Sequence, residues 1–269
     1  MLKLIFVVVT LLTTAGCRDD VVIDETLPTT TYFAVSDDIG EDHWQHFITV
    51  EVNSNEIVTG VEMNSIMQTV MATRRDLAQL ADYEEAFGYN FDEQVLTLEA
   101  ALIGLPRDEL ADAIEQATGD RVDFDTTTFA LLADLALTSE PVETGGYIDG
   151  WYQSMSSPDD EGFRYFVNLF IQHGHIIAVH WNAINEEGIL KYDPLNATAI
   201  DDEAIAWRNQ VQVVEKSLIA RQDPAFFSFN EAGISTDIPH VTIEVESFVS
   251  LVTQALATGP LTRETRGDD

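Results

Sequence analysis

One cysteine, Cys17, is all that this chain of 269 residues contains. A single thiol excludes an internal disulfide and any zinc site built on several cysteines. Basic residues are scarce too: 13 Lys and Arg stand against 47 Asp and Glu, a formal charge of −34. A field of that sign repels phosphate backbones, so nucleic acid is not an expected partner. The chain also lacks GxSxG, Walker and GxGxxG motifs and EF-hand spacing, and no nucleophile can be named with a base and an orienting partner. A classical enzyme is therefore not expected, and scattered acids point to a solubilising surface rather than a cation site.

What the chain does contain is said twice. A block from about Tyr32 to Leu137 recurs, degenerate but in order, from about Tyr147 to Leu256. Phe47, Ile48, Val50 and Val52 correspond to Phe166, Val167, Leu169 and Ile171, and the alternation puts Ile48, Val50 and Val52 on one strand face. A polar turn follows in each copy, Asn53-Ser54-Asn55-Glu56 or Gln172-His173-Gly174-His175, with Asn55 and Gly174 expected at the positive-φ position. Phe91, Val95, Leu98 and Leu102 match Trp207, Val211, Val214 and Leu218 as one helical stripe, and Glu99 coincides with Glu215. Phe129, Leu132, Ala133, Ala136 and Leu137 match Phe248, Leu251, Val252, Ala255 and Leu256 as a closing helix.

These patterns predict an α+β protein of two similar domains, each an antiparallel sheet packed with helices. The boundaries run 1–16 for an export signal, 17–30 for a tether, 31–138 and 146–258 for the domains, and 259–269 for a disordered tail. Thr138 to Gly146, with Pro141 and Gly145-Gly146, reads as the linker. Thr73 to Ala86 is expected to be helical, and Leu105 to Asp108 to turn into a helix at Glu109 to Gln116.

The first sixteen residues combine Lys3, the apolar stretch Leu4 to Val9 with Leu11-Leu12, and Thr14-Ala15-Gly16 before Cys17. That stretch is too short to cross a bilayer but matches the apolar core of an export signal. Small residues before a cysteine resemble the bacterial lipobox, although a leucine is more usual where Thr14 stands. Cys17 is then the lipidated residue, and several acyl chains make stable anchoring where one is marginal. The resemblance implies a lipid-anchored envelope protein; Arg18, in place of the aspartate that favours inner-membrane retention in enteric bacteria, points to the outer membrane.

The order of parts also resembles a known family. Asp42 to Phe47, or Gly162 to Phe166, leads into a hairpin; a strand ending near Asn64 or Asn182 follows, then an acidic insertion, an amphipathic helix and a last helix opening on Phe. This is similar to the FMN-binding domain of flavinylated bacterial lipoproteins and of a subunit of sodium-pumping quinone reductase. Members that carry flavin covalently use a motif of the form Asp-x-x-Ser/Thr-Gly-Ala-Ser/Thr-x-Thr/Ser, whose last hydroxyl takes the FMN phosphate. Counted back from Phe129 and Phe248, that acceptor position holds Asp125 and Glu244; Arg121-Val122 and His240-Val241 replace Gly-Ala, and the middle hydroxyl survives only as Thr242.

A carboxylate cannot accept the phosphoester, and like charges about 4 Å apart repel by about 4 kcal/mol at an effective dielectric of about 20. Covalent FMN is thus not expected unless the register slips to Thr126, Thr127, Thr128 or Ser247, hydroxyls that read as helix caps. Non-covalent FMN stays open, as do envelope redox or scaffold proteins as partners. Two functions follow: an envelope lipoprotein accessory to flavin-linked electron transfer or binding a ligand, or a non-redox scaffold that has lost its cofactor. The pairs His43/His46 and His173/His175, and His240 beside Pro239, lack a third ligand and read as loop residues. Trp44, Phe163, Trp181 and Trp207 could stack on a flat ring, but on periodic faces such residues are more often core.

Overall fold

A computed structural model describes residues 27–36, 44–193 and 202–262. Cys17, the signal, His43 and most of the tether lie outside them. In the first module β1 (Thr29–Val35), β2 (Gln45–Asn53), β3 (Val58–Met67) and β4 (Ala72–Thr73) form one antiparallel sheet in that order. Helices α1 (Arg74–Leu77), α2 (Tyr83–Phe87), α3 (Phe91–Leu102), α4 (Leu110–Glu115) and α5 (Thr127–Thr138) follow. The second module repeats the plan with β5 (Gly150–Met155), β6 (Arg164–Gln172) and β7 (His175–Ile184), then α6 (Asp202–Arg221) and α7 (Glu246–Thr258). The fold is α+β, and no helix among the described residues is long and apolar enough to cross a membrane.

The duplication reaches into irregular detail. Each hairpin shifts register at the same place, between Glu51 and Val52 in one module and between Phe170 and Ile171 in the other. Such an extra residue bends and twists a strand pair. The turn, however, differs from the expectation. Asn53 Oδ1 accepts the N–H groups of Asn55 and Ile57, an Asx turn that keeps Asn55 right-handed and moves the positive φ to Glu56, at 59°. His173 and Gly174 share it in the shorter second turn, at 52° and 74°. The register also sets Tyr32 opposite Val50 and Tyr152 opposite Leu169, so Tyr32 corresponds to Tyr152 rather than Tyr147.

Ile48, Val50 and Val52 pack under α3 and α5, with Phe91, Val95, Leu98 and Leu102 all buried. Val167, Leu169 and Ile171 pack likewise under α6 and α7. The stretch 73–86 breaks into α1 and α2 instead of one helix; α2 stops at Gly88, whose φ of 80° suits a residue without Cβ. β1 begins at Thr29, inside the segment expected as tether.

The outer faces of the two sheets meet each other. Phe47 and Ile66 join Trp151, Phe170, Ile177 and Ala178 in a third apolar cluster, giving layers in the order helix, sheet, sheet, helix. Polar contacts fix the register: Asn168 Nδ2 donates to the Gln68 carbonyl at 3.2 Å, Gln172 Nε2 to Glu62 at 3.3 Å, and His173 Nε2 lies 2.8 Å from Thr49 Oγ1. The linker is pinned as well. Val142 N–H donates to Thr31 O and Gly145 N–H to His173 O, and a Cβ on Gly174 would stand 2.6 Å from the Gly145 carbonyl. Leu261, in the segment expected as tail, donates its N–H to Trp151 O and packs into the same cluster.

Candidate functional site

The acid that coincides in the two copies is buried in both. Glu99, on α3, accepts the Met63 N–H at 2.7 Å; Glu215, on α6, accepts the Trp181 N–H at 2.6 Å. Each is answered by an arginine from a different place. Arg75, after β4, reaches Glu99 at 3.2 Å and Asp92 at 2.7 Å, whereas Arg208 reaches Glu215 at 2.8 Å from the same helix. Arg208 stands at the helix position that Asp92 holds in the first module, so a base has taken the place of an acid beside a constant glutamate. Burial pushes the Glu99 carboxyl up to about 7 and raises Glu215 against the pull of Arg208.

Asn64 and Asn182 provide a second landmark. Asn64 Oδ1 accepts the Arg75 N–H and Asn182 Oδ1 the Tyr192 N–H, both at 3.3 Å. The residues just before them, Arg74 and Lys191, therefore correspond, and each places its cation among aromatic rings. The Arg74 guanidinium lies 5.6 Å from the centre of Trp44, 6.0 Å from Tyr89 and 4.5 Å from Phe91. The Lys191 ammonium lies 5.6 Å from Phe163, 5.3 Å from Tyr165 and 5.4 Å from Trp207. Trp44 corresponds to Phe163 and Phe91 to Trp207, so the boxes are homologous. Each such contact is worth about 0.5–2 kcal/mol.

The boxes differ in access. In the first module Arg74 Nε donates to Tyr83 Oη at 3.2 Å and Nη2 to Tyr89 Oη at 2.6 Å, one tyrosine opening α2 and the other in the turn between α2 and α3. In the second, Lys191 donates to Tyr165 Oη at 2.9 Å and forms one wall of an open cleft of about 440 Å³ with Phe163, Trp207, Glu161, Glu203 and Ile243. A separate cleft of about 430 Å³ in the first module lies between α3 and α4, lined by Leu102, Asp112 and Arg121.

Asp125 and Glu244, the residues expected to stand where a flavin acceptor would be, lie just before the closing helices. Asp125 Oδ1 accepts the Thr127 N–H at 2.9 Å, and hydrogen bonds from Thr127 hold the Asp125 carboxyl below the usual range. Glu244 Oε1 accepts the Ser247 N–H at 2.7 Å, and Ser247 Oγ donates to Oε2. Capping thus belongs to Asp125 and Glu244, not to the hydroxyls of Thr126, Thr127, Thr128 and Ser247. Thr126 Oγ1 instead donates to Ile114 O inside the core. Gln94 and Gln210, identical and in register, hold the preceding loop: Gln94 exchanges bonds with Asp123, and Gln210 Oε1 accepts the Thr242 N–H at 2.6 Å. Gln210 and Ile243 border the Lys191 cleft, which therefore abuts the Thr242 segment.

No family model matches the chain, and no curated protein matches it. Among solved structures, a Clostridium thermocellum protein studied by solution NMR is 28% identical, with 41% of this chain and 90% of that one aligned at a TM-score of 0.33. A crystal structure of a Clostridium perfringens protein is 20% identical, over 42% and 89%, at a TM-score of 0.29.

The remaining candidates are placed as follows. His46 Nδ1 lies 2.7 Å from Ser65 Oγ, His175 Nε2 lies 2.8 Å from Glu143 O, and His240 sits in an exposed loop at φ 65°. Among the described residues no group of three or more His, Cys, Asp or Glu is placed to hold a metal ion. Trp44 and Trp181 are buried, while Phe163 and Trp207 are half-exposed walls of the cleft. Arg74 and Lys191 escaped the sequence reading because the offset between the copies drifts between the hairpin and α3 or α6, so the strand spacing does not align them. Their scarcity was the available signal, since only 13 basic residues occur in the chain.

Proposed function

We propose that this chain is a lipid-anchored protein of the bacterial envelope, held through Cys17, preferentially at the outer membrane, and built from two FMN-binding-like modules that carry no covalent flavin. Its role is to bind a ligand, as an accessory to flavin-linked electron transfer, through the second module. The observation that supports this most directly is the carboxylate that precedes each closing helix and caps its first turn. Amide donors that would suit a phosphate already serve Asp125 and Glu244. A dianionic phosphate at either place would meet a fixed negative charge.

Coexpression with a flavin transferase followed by intact-mass measurement tests the covalent half of this reading; an FMN-sized adduct on either module defeats it. FMN titration followed by flavin fluorescence tests the non-covalent half. A non-redox scaffold is the second reading. The Arg74 box, closed by Tyr83 and Tyr89, favours it for the first module. Colourless protein that leaves flavin fluorescence unchanged and takes up no small ligand would make the scaffold the whole function.

A further inference from the structure

We infer that the cleft around Lys191, in the second module, binds a small aromatic zwitterion of the amino-acid class. The inference deepens the ligand-binding reading above and rests on it.

The cleft offers three kinds of chemistry within one space. Lys191 provides an ammonium with three donors, one of them spent on Tyr165 Oη, so a carboxylate can be received by the others. Glu161 and Glu203 line the same cleft and can receive an ammonium. Phe163 and Trp207 supply apolar faces for a flat ring. A volume of about 440 Å³ falls within the range of small-molecule pockets, about 300–1,000 Å³.

Charge narrows the class. A simple anion would gain Lys191 but meet two carboxylates and a chain of net charge −34. A simple cation would meet the like charge of the Lys191 ammonium, which stands beside the same three rings. A molecule with one charge of each sign carries no net charge and can satisfy both walls. The first module shows the alternative fate of the same box: Arg74 is tied by two tyrosine hydroxyls among three rings, two of which, Trp44 and Phe91, are buried.

The test uses the full chain, with calorimetry and saturation-transfer NMR on three probes: L-tryptophan, indole-3-propionate lacking the ammonium, and tryptamine lacking the carboxylate. Saturable binding of L-tryptophan is expected, with each single-charge analogue at least about tenfold weaker, the effect of about 1.4 kcal/mol. Lys191→Met should bring L-tryptophan down to the level of tryptamine, Lys191→Arg should restore it, and Glu161→Gln with Glu203→Gln should bring it down to the level of indole-3-propionate. Arg74→Lys should change none of the three. Equal affinity for all probes, or L-tryptophan binding indifferent to Lys191→Met in a folded variant, overturns the inference. If FMN binds and no indole probe does, the inference falls while the ligand-binding reading stands; if neither binds, both fall.

Discussion

Arg208 reaches Glu215, two turns further along the same helix, at 2.8 Å, and both side chains are buried. The pair exists because Glu215 serves the Trp181 N–H, a buried backbone donor beyond the reach of any neighbouring strand's carbonyl. Removing the guanidinium alone leaves a charge in the core. Arg208→Met should therefore cost about 3–5 kcal/mol in urea unfolding at pH 8. The loss should shrink as pH falls, because burial raises the Glu215 carboxyl and lets it take up a proton in place of the missing cation. A loss below about 1 kcal/mol at pH 8 would show the pair to be dispensable.

Glu99 sets a pH dependence of the opposite kind from that of a paired surface acid. Its folded value of about 7 lies above the ordinary 4.5, so between these limits the folded state holds a proton that the unfolded state has released. Stability is then fully present below about pH 4.5 and falls as pH rises through 7, by about 3 kcal/mol at most. Glu99→Gln should flatten that slope in denaturation series between pH 5 and 8; an unchanged slope would assign it to other groups.

His180 acts in the other direction. It lies directly across the ladder from Asn168, on the face turned toward the first module, and among the described residues its Nε2 has no hydrogen-bond partner. Burial depresses it to about 3, so its contribution is present above pH 6.5 and is lost as pH falls toward 3. His180→Phe should remove an acid-side loss on the order of 4–5 kcal/mol. Acid unfolding that begins at the same pH in this variant would contradict the assignment.

The helix caps predict modest, separable effects. Asp125→Ala and Glu244→Ala should each cost about 1 kcal/mol in chemical denaturation, whereas Thr128→Ala should cost little. Replacing Glu244 by Thr restores an acceptor hydroxyl but leaves His240-Val241 where the flavinylation motif has Gly-Ala. This single change should still give no FMN adduct by mass.

Phe170 lies 4.7 Å from the Trp151 ring and 6.0 Å from Phe47 in the opposite module. Phe170→Ala should cost about 3–5 kcal/mol and replace one unfolding transition by two, as the modules come apart. Calorimetry would register the split; a single transition with an unchanged midpoint would show that the aromatic contact does not couple them.

The helix-facing core was legible because the periodicities of strand and helix are geometric. Ile48, Val50 and Val52 fall on the α3 and α5 side as their alternation requires. The opposite face was harder, because Phe47 and Phe170 alternate correctly with a core that belongs to the other module, and spacing within one strand cannot name a distant partner. The duplicated glutamate was visible as a coincidence, but its arginines were not, since they come from positions that do not align. The turn was misplaced for a local reason: the Asn53 side chain substitutes for backbone and moves the left-handed residue to Glu56. The carboxylates at 125 and 244 stood out in the sequence by their place before the closing helices, yet their work as caps depended on helix starts that a sequence places only to within a few residues.

Because the two sheets hide each other's aromatic side, neither half is a free-standing piece. Severed at the linker, each would present a wet, adhesive plane of Phe, Trp and Ile seeking the surface it lost, and self-association would be its readiest relief.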